Sequence, residues 1–393
     1  MQHFNYLIIG AGMTGDAAAR GIRDVDLSGS IGLIGAEPDP PYNRPPLSKG
    51  LWKGDSIESI WRRMKKGAPE LRLGRTARRL DPATRRVTDD RGEVYSYDQL
   101  LLATGGTPRR LAFGGDDVIY LRTVADYRRL RALADTGQRF GVIGGGFIGA
   151  EAAAALALNG NEVVLLFPDA TLGARLFPAD VGAFLNDLYR GHGVDLRPGT
   201  RVVGIERRGD RLTLEVESAN GRAEIPVDGI VAGIGLQPNV ELAAAAGLTI
   251  ENGIWVDELL RTRAPDVYAA GDVAAFYNPV LGRRIRVEHE DNANRMGRQA
   301  GRNMAGSAER YHHLPSFYSD LFDVGYEAVG ELDARLETVA DWREPYRTGV
   351  IYYLADRRVR GVLLWNIGDQ LDAARALLAE PGPFAPADLM GRI

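Results

Sequence analysis

The hydrophobic pattern runs through the same sequence of changes twice. Residues 7–20 read LIIGAGMTGDAAAR: an apolar strand, then Gly10, Gly12 and Gly15, then a helix of small residues. Residues 142–166 read VIGGGFIGAEAAAALALNGNEVVLL, with Gly144, Gly146 and Gly149 in the same places. A strand at 31–35 (IGLIG) closes the first unit, and a strand at 163–167 (VVLLF) closes the second. Strand, helix and strand in this order predict parallel α/β units. Buried strands running into glycine turns follow near 96–104 and 226–235, and TRAPDVYAAGD (262–272) supplies another. From about 310 the pattern becomes alternating and aromatic (GYEAVGEL, GVIYYLA, VRGVLLWN), which predicts an antiparallel sheet followed by an alanine-rich helix over 369–380.

A loop of the form Gly-x-Gly-x-x-Gly between strand and helix brings backbone N–H groups and a helix N-terminus against a pyrophosphate. Two such loops imply two dinucleotides. One loop alone is weak evidence, because glycine turns also serve strand-to-helix packing. Here each is followed by an acid at the distance a ribose-binding carboxylate requires, Glu37 after the first and Asp169 after the second. A carboxylate at 169 accepts bonds from ribose hydroxyls and repels a 2′-phosphate, so NADH is favoured over NADPH, although Arg175 stands near in sequence. Asp272, after Ala269–Ala270–Gly271, is by itself an ordinary helix cap; beside the first loop it points to a polyol chain, which FAD has and NAD lacks.

Composition narrows the chemistry. The 393 residues contain no cysteine, which removes disulfides, thiolate metal sites, iron–sulfur ligation and a catalytic dithiol. Electron chemistry then needs an organic cofactor. The five histidines lack metal-binding spacing, and the adjacent His312 and His313 are expected in a solvated loop. Net charge is −4, which argues against nucleic acid and membrane surfaces as partners. No apolar run is long enough to span a bilayer, and an apolar strand begins by residue 5, so a cytoplasmic location is expected. One stretch departs from the average: residues 62–79 hold Arg62, Arg63, Lys65, Lys66, Arg72, Arg75, Arg78 and Arg79 against Glu70, a local charge of +7. It reads either as a solvated face or as a dock for an acidic electron-transfer protein or nucleic acid.

The runs PYNRPPLSKGLW (41–52), LLATGGTPRRL (101–111), VIGGGFIGAE (142–151), VVLLFPD (163–169), GLQPNVEL (235–242), AAGDVAAFYNPVLGRR (269–284) and DVGYEAVG (323–330) resemble the FAD-dependent pyridine nucleotide oxidoreductases of the glutathione-reductase fold. The similarity is to the branch without redox cysteines: ferredoxin and rubredoxin reductases and, most of all, apoptosis-inducing factor. It implies two Rossmann-type domains, for FAD and NADH, and a C-terminal α+β domain with an antiparallel sheet. The segments would be 1–112 and 239–309 for FAD, 113–238 for NADH, and 310–393 for the C-terminal domain.

The resemblance also assigns residues. Gly10, Gly12, Thr14, Gly15 and Glu37 would hold FAD, with Arg44 near its pyrophosphate and Lys49 beside its reactive nitrogen. Ala77, Ala103, Thr104, Gly105, Arg122 and Asp272 would complete that site, with Glu288, His289 and Tyr318 near the flavin. NADH would take Gly144, Gly146, Ile148, Gly149, Asp169, Gly235, Glu288 and Glu327, with Phe147 gating the nicotinamide and Glu151 pairing with Lys49. From the residues alone, Glu151 in the first turn of a helix reads first as a dipole-compensating acid; the RPPLSK run turns the reading toward Lys49. No metal site is implied.

Three features depart from that pattern. Tyr318 stands where the family has a tryptophan. The chain shows neither a mitochondrial leader nor the long insertion between positions like Asp341 and Gly349, which points to a prokaryotic-type enzyme. Asp16 is an unusual acid beside a phosphate loop, and is expected to be a surface residue pointing away. The function implied is hydride transfer from NADH to FAD and onward transfer to a ferredoxin- or rubredoxin-type protein, a quinone or oxygen, by a monomer or homodimer. The alternative is a redox sensor whose NADH-reduced complex is long-lived and changes assembly.

Overall fold

The computed structural model describes residues 1–63, 66–209 and 211–393. Its contacts divide the chain into two units: 1–44, 57–107 and 237–316 in one, and 45–56, 108–236 and 317–393 in the other.

The first unit is built on a sheet whose parallel strands run in the order Glu70–Leu73, Ile31–Gly35, Gln2–Ile9, Val94–Leu102 and Val267–Ala269. Ile8 faces Leu33 on one side and Leu101 on the other. Leu7, Ile8, Leu33, Leu100, Leu101 and Leu102 are wholly buried, as expected of strands covered on both faces. The helix Met13–Arg23 lies along the helix Glu290–Met304. Their backbones approach so closely that a Cβ on Gly21 would stand 2.0 Å from the carbonyl oxygen of Arg298, and one on Gly301 2.0 Å from that of Ala18.

The second unit repeats the arrangement. Its parallel strands run in the order Asp195–Arg197, Glu162–Leu166, Arg139–Ile143, Gly229–Ala232 and Val118–Ile119. An antiparallel ribbon, Arg201–Arg208, Arg211–Ser218 and Gly221–Val227, lays Leu214 and Val227 against Gly141. The same unit holds the antiparallel sheet expected after residue 310, in the order Ser316–Leu321, Val324–Gly330, Arg358–Trp365, Thr348–Ala355 and Glu337–Glu344. The helix Leu371–Ala379 packs on that sheet.

Two expectations about single residues are corrected. Asp16 is not a surface residue: it is 3% exposed and is bonded by Arg20 and Arg62. A carboxylate can be buried there because two guanidinium groups meet it. His313 does not lie in solvent either. Its Nε2 is 2.5 Å from Asp291 Oδ2. Burial opposes the Asp291 charge, but the bonds from His313 and the Ser316 N–H hold its pKa down at about 2.

Candidate functional site

Each glycine loop has three glycines that answer to different constraints. Gly10 and Gly144 both have positive φ, 122° and 114°, and a Cβ on them would strike the carbonyl oxygens of Ala103 at 2.0 Å and Gly233 at 2.4 Å. Gly15 and Gly149 close the turn, where a Cβ would stand 2.0 Å and 1.8 Å from the oxygens of Gly10 and Gly144. Packing within the chain accounts for these four. It does not account for the middle pair. A Cβ on Gly12 would have Arg44 Nη2 as its nearest neighbour at 4.0 Å, and one on Gly146 would meet nothing within 4 Å. Both middle glycines are helix N-caps with extended backbone and no side-chain cap bond. Packing within the chain therefore leaves room beside both, and the uncapped N–H groups beyond them suit an anion.

In the first unit several assigned residues surround this loop. Arg44 donates to Glu37 Oε1 at 2.5 Å, and Tyr42 donates to Glu37 Oε2 at 2.5 Å, so the carboxylate is fixed beside the guanidinium. Ala103 is the residue against which Gly10 turns. Thr104 donates its hydroxyl to Asn239 O at 2.7 Å, and Gly105 follows at φ 65°. A Cβ on Gly271 would stand 2.3 Å from Thr14 Oγ1, so Asp272, nearly buried, begins its turn directly against the first helix. Arg286 donates to Asp272 O at 3.0 Å and pairs with Glu288 at 2.7 Å. Burial pushes His289 down to about 4, leaving a neutral imidazole at pH 7. Ala77 begins a strand and packs against the core edge.

In the second unit Lys49, Glu151 and Tyr318 come together. The Lys49 segment is pinned by Trp52, whose ring meets Tyr127 edge-on and whose carbonyl accepts from Asn159. Lys49 Nζ reaches Glu151 Oε1 at 2.6 Å, with only 12% and 3% of the side chains exposed. The Lys49 ammonium also stands 5.2 Å from the Tyr318 ring centroid, so the residue in the tryptophan's place keeps an aromatic face on the cation. Two further residues complete the cluster. Ser48 donates to Glu151 Oε2 at 2.6 Å, and Ser319 to Oε1 at 2.6 Å. Sequence reasoning missed both serines, although each adjoins an assigned residue. Three donors, the Lys49 ammonium and two serine hydroxyls, thus converge on one buried carboxylate.

The other assigned residues of this unit are more dispersed. Phe147 meets Phe317 edge-on at 5.3 Å, and Ile148, within the second loop, and Asp169, beyond it, are exposed. Gly235 lies at φ 102° beside Arg109, and Arg122 precedes the helix capped by Thr123. Glu327 is not brought to the Lys49 cluster. Strand alternation puts it opposite Tyr326, whose ring packs against Phe177 and Phe317. Burial, then the Asp369 carboxylate, raise its pKa.

Four of the eight cations of the basic run are paired with acids. Arg62 pairs with Asp16, Arg63 with Glu58, Arg72 with Glu70, and Arg75 with Asp89. Lys65 lies outside the described residues.

A family model described as pyridine nucleotide-disulphide oxidoreductase matches residues 4–297, and one described as apoptosis-inducing factor, mitochondrion-associated, C-term matches 300–345 and 340–380. The chain is 36% identical to a 5,5′-dehydrodivanillate O-demethylase ferredoxin reductase subunit of a Sphingobium strain, over 97% of this chain and 94% of the relative. It is 36% identical to the ferredoxin–NAD(+) reductase component of an anthranilate 1,2-dioxygenase system of Burkholderia cepacia, over 98% and 97%. Among solved structures, the covalent putidaredoxin reductase–putidaredoxin complex matches with a TM-score of 0.90 at 32% identity, over 98% of this chain and 95% of that one.

Proposed function

Because this chain belongs to the pyridine nucleotide-disulphide oxidoreductase family, we propose that it is an FAD-dependent enzyme that oxidises NADH and passes electrons to a ferredoxin-type iron–sulfur protein. The observation that carries this reading is the pair of middle glycines, open where every other loop glycine is packed. Segments 1–112 and 239–309 would serve FAD, 113–238 NADH, and 310–393 the flavin end of the reaction. When bound, FAD takes up a hydride and gives electrons back singly, which nothing in a cysteine-free chain can do itself. The residues fit it: a loop a Cβ would fill, a guanidinium facing that loop, and a nearly buried acid where the ribityl chain would lie. The neutral His289 brings no charge of its own to compete with these.

Lys49 is the residue assigned to the flavin's chemistry. An ammonium held by a buried carboxylate favours negative charge developing in front of it. The ferredoxin reductases match this chain almost end to end, and this favours the enzyme over the sensor reading. No helix among the described residues is long and apolar enough to cross a membrane.

Mixing anaerobic protein with NADH tests the reading. Loss of the flavin's visible absorbance, followed by its return on adding an oxidised ferredoxin, is expected. A protein that NADH cannot reduce would sink it. Asp272→Ala is expected to lose FAD roughly 10–100-fold more readily, from the removal of a charge-assisted bond of about 1.5–3 kcal/mol. Equal FAD retention in this variant would dismiss the ribityl role. Asp169→Ala is expected to narrow the preference for NADH over NADPH, since it removes the repulsion of a 2′-phosphate. Comparing kcat/KM for the two nucleotides checks this, and equal use of both by the parent would remove its basis.

A further inference from the structure

Asp16 and Arg62 play no part in the reading above, and their geometry is specific. Asp16 sits in the first turn of the helix that follows the first glycine loop, where another anion is expected. Arg20, one turn on, already bonds it through Nε at 2.8 Å and Nη2 at 3.3 Å. Arg62 comes from 46 residues away, donates Nε to Asp16 Oδ2 at 2.7 Å, and turns Nη1 to Asn43 Oδ1 at 2.8 Å. Backbone bonds hold the same two segments, Asn43 N to Ile60 O at 2.9 Å and Arg62 N to Pro41 O at 2.8 Å. The residue after Asn43 is Arg44, the guanidinium that faces Gly12.

We infer that Asp16, Arg62 and Asn43 form a latch that positions Arg44 over the first glycine loop and so sets how fast FAD leaves. This rests on FAD being that loop's occupant. Arg20 alone satisfies much of the Asp16 carboxylate, so neutralisation does not require a distant residue. What Arg62 adds is the connection, since a planar fork can hold two acceptors at fixed angles. Asp16 is then an anchor for the latch, and the guanidiniums on it offset its repulsion of a phosphate. Arg62, Asn43 and Asp16 are positioning residues; Arg44 is the one that faces the loop.

The test is the rate at which free-FAD fluorescence appears after dilution of the holoprotein. Arg62→Met and Asn43→Ala are each expected to speed release about tenfold, the scale of one charge-assisted bond. On an Arg44→Met background, Arg62→Met should add less than twofold, because the latch works through Arg44. Unchanged release in both single variants would overturn the inference. So would the full Arg62→Met effect on the Arg44→Met background, which marks a general structural role. Arg62→Met leaves Arg20 on Asp16, and Asn43→Ala changes no charge, so the second decides the matter if the first misfolds. A parent protein that carries no FAD would overturn the functional reading itself, and this inference with it.

Discussion

Glu151→Gln is expected to keep FAD bound while slowing its reduction by NADH roughly 100-fold, the scale on which one positioned electrostatic group acts. The carboxylate is 3% exposed and accepts from Lys49, Ser48 and Ser319, each at 2.6 Å. An amide in its place keeps the volume and removes the countercharge, so Lys49 is left facing the Tyr318 ring without an anion. Removing one partner of a buried pair costs about 3–5 kcal/mol when the other is stranded. Lys49→Met strands Glu151 less severely, because the two serine hydroxyls still donate to it. Reduction should slow to a similar degree in this variant, with a smaller loss of thermal stability. The double variant should be far from additive, since each single change already breaks the pair. Stopped-flow reduction of the four proteins by NADH measures this. Full additivity, or parent rates in both single variants, would reduce Glu151 to a helix-dipole residue.

The cluster also shows what the sequence could and could not carry. Both strand–glycine–helix units were legible because their signals are local: an apolar strand, three glycines, a small-residue helix. The antiparallel sheet after residue 310 was legible for the same reason, as a change of period. Lys49 and Glu151 could be paired only through the family resemblance. Their serine partners stand 103 and 168 residues from Glu151, and a serine's spacing says nothing of where its hydroxyl will point. Asp16 was misread for the same reason, since Arg62 comes from a distant segment of the chain. The +7 of residues 62–79 was summed without Asp16, Glu58 and Asp89, acids outside the stretch that pair with Arg62, Arg63 and Arg75. Charge summed along a chain ignores pairing across the fold.

The loops allow a sharper separation of packing from binding. Gly146→Ala is expected to leave the NADH-free protein within about 1 kcal/mol of the parent, because two small effects offset each other. Alanine restricts the unfolded chain, which favours folding, and is a poorer N-cap than glycine, which opposes it. The backbone at Gly146, φ −88° and ψ −171°, admits alanine, and the new methyl group meets no atom within 4 Å. Yet it would stand where a pyrophosphate must approach the N–H groups of the helix Phe147–Leu158. Losing one charge-assisted bond there costs about 1.5–3 kcal/mol, so the NADH dissociation constant should rise roughly 10–100-fold. Gly149→Ala, three residues on, should behave in the opposite way. Its Cβ would lie 1.8 Å from Gly144 O, so the loop must move and the protein loses stability whether or not a nucleotide is present. Thermal unfolding and NADH titration of the two variants side by side distinguish the cases. If Gly146→Ala bound NADH as tightly as the parent, the second loop would be a packing turn, and a hydride donor would have to bind elsewhere.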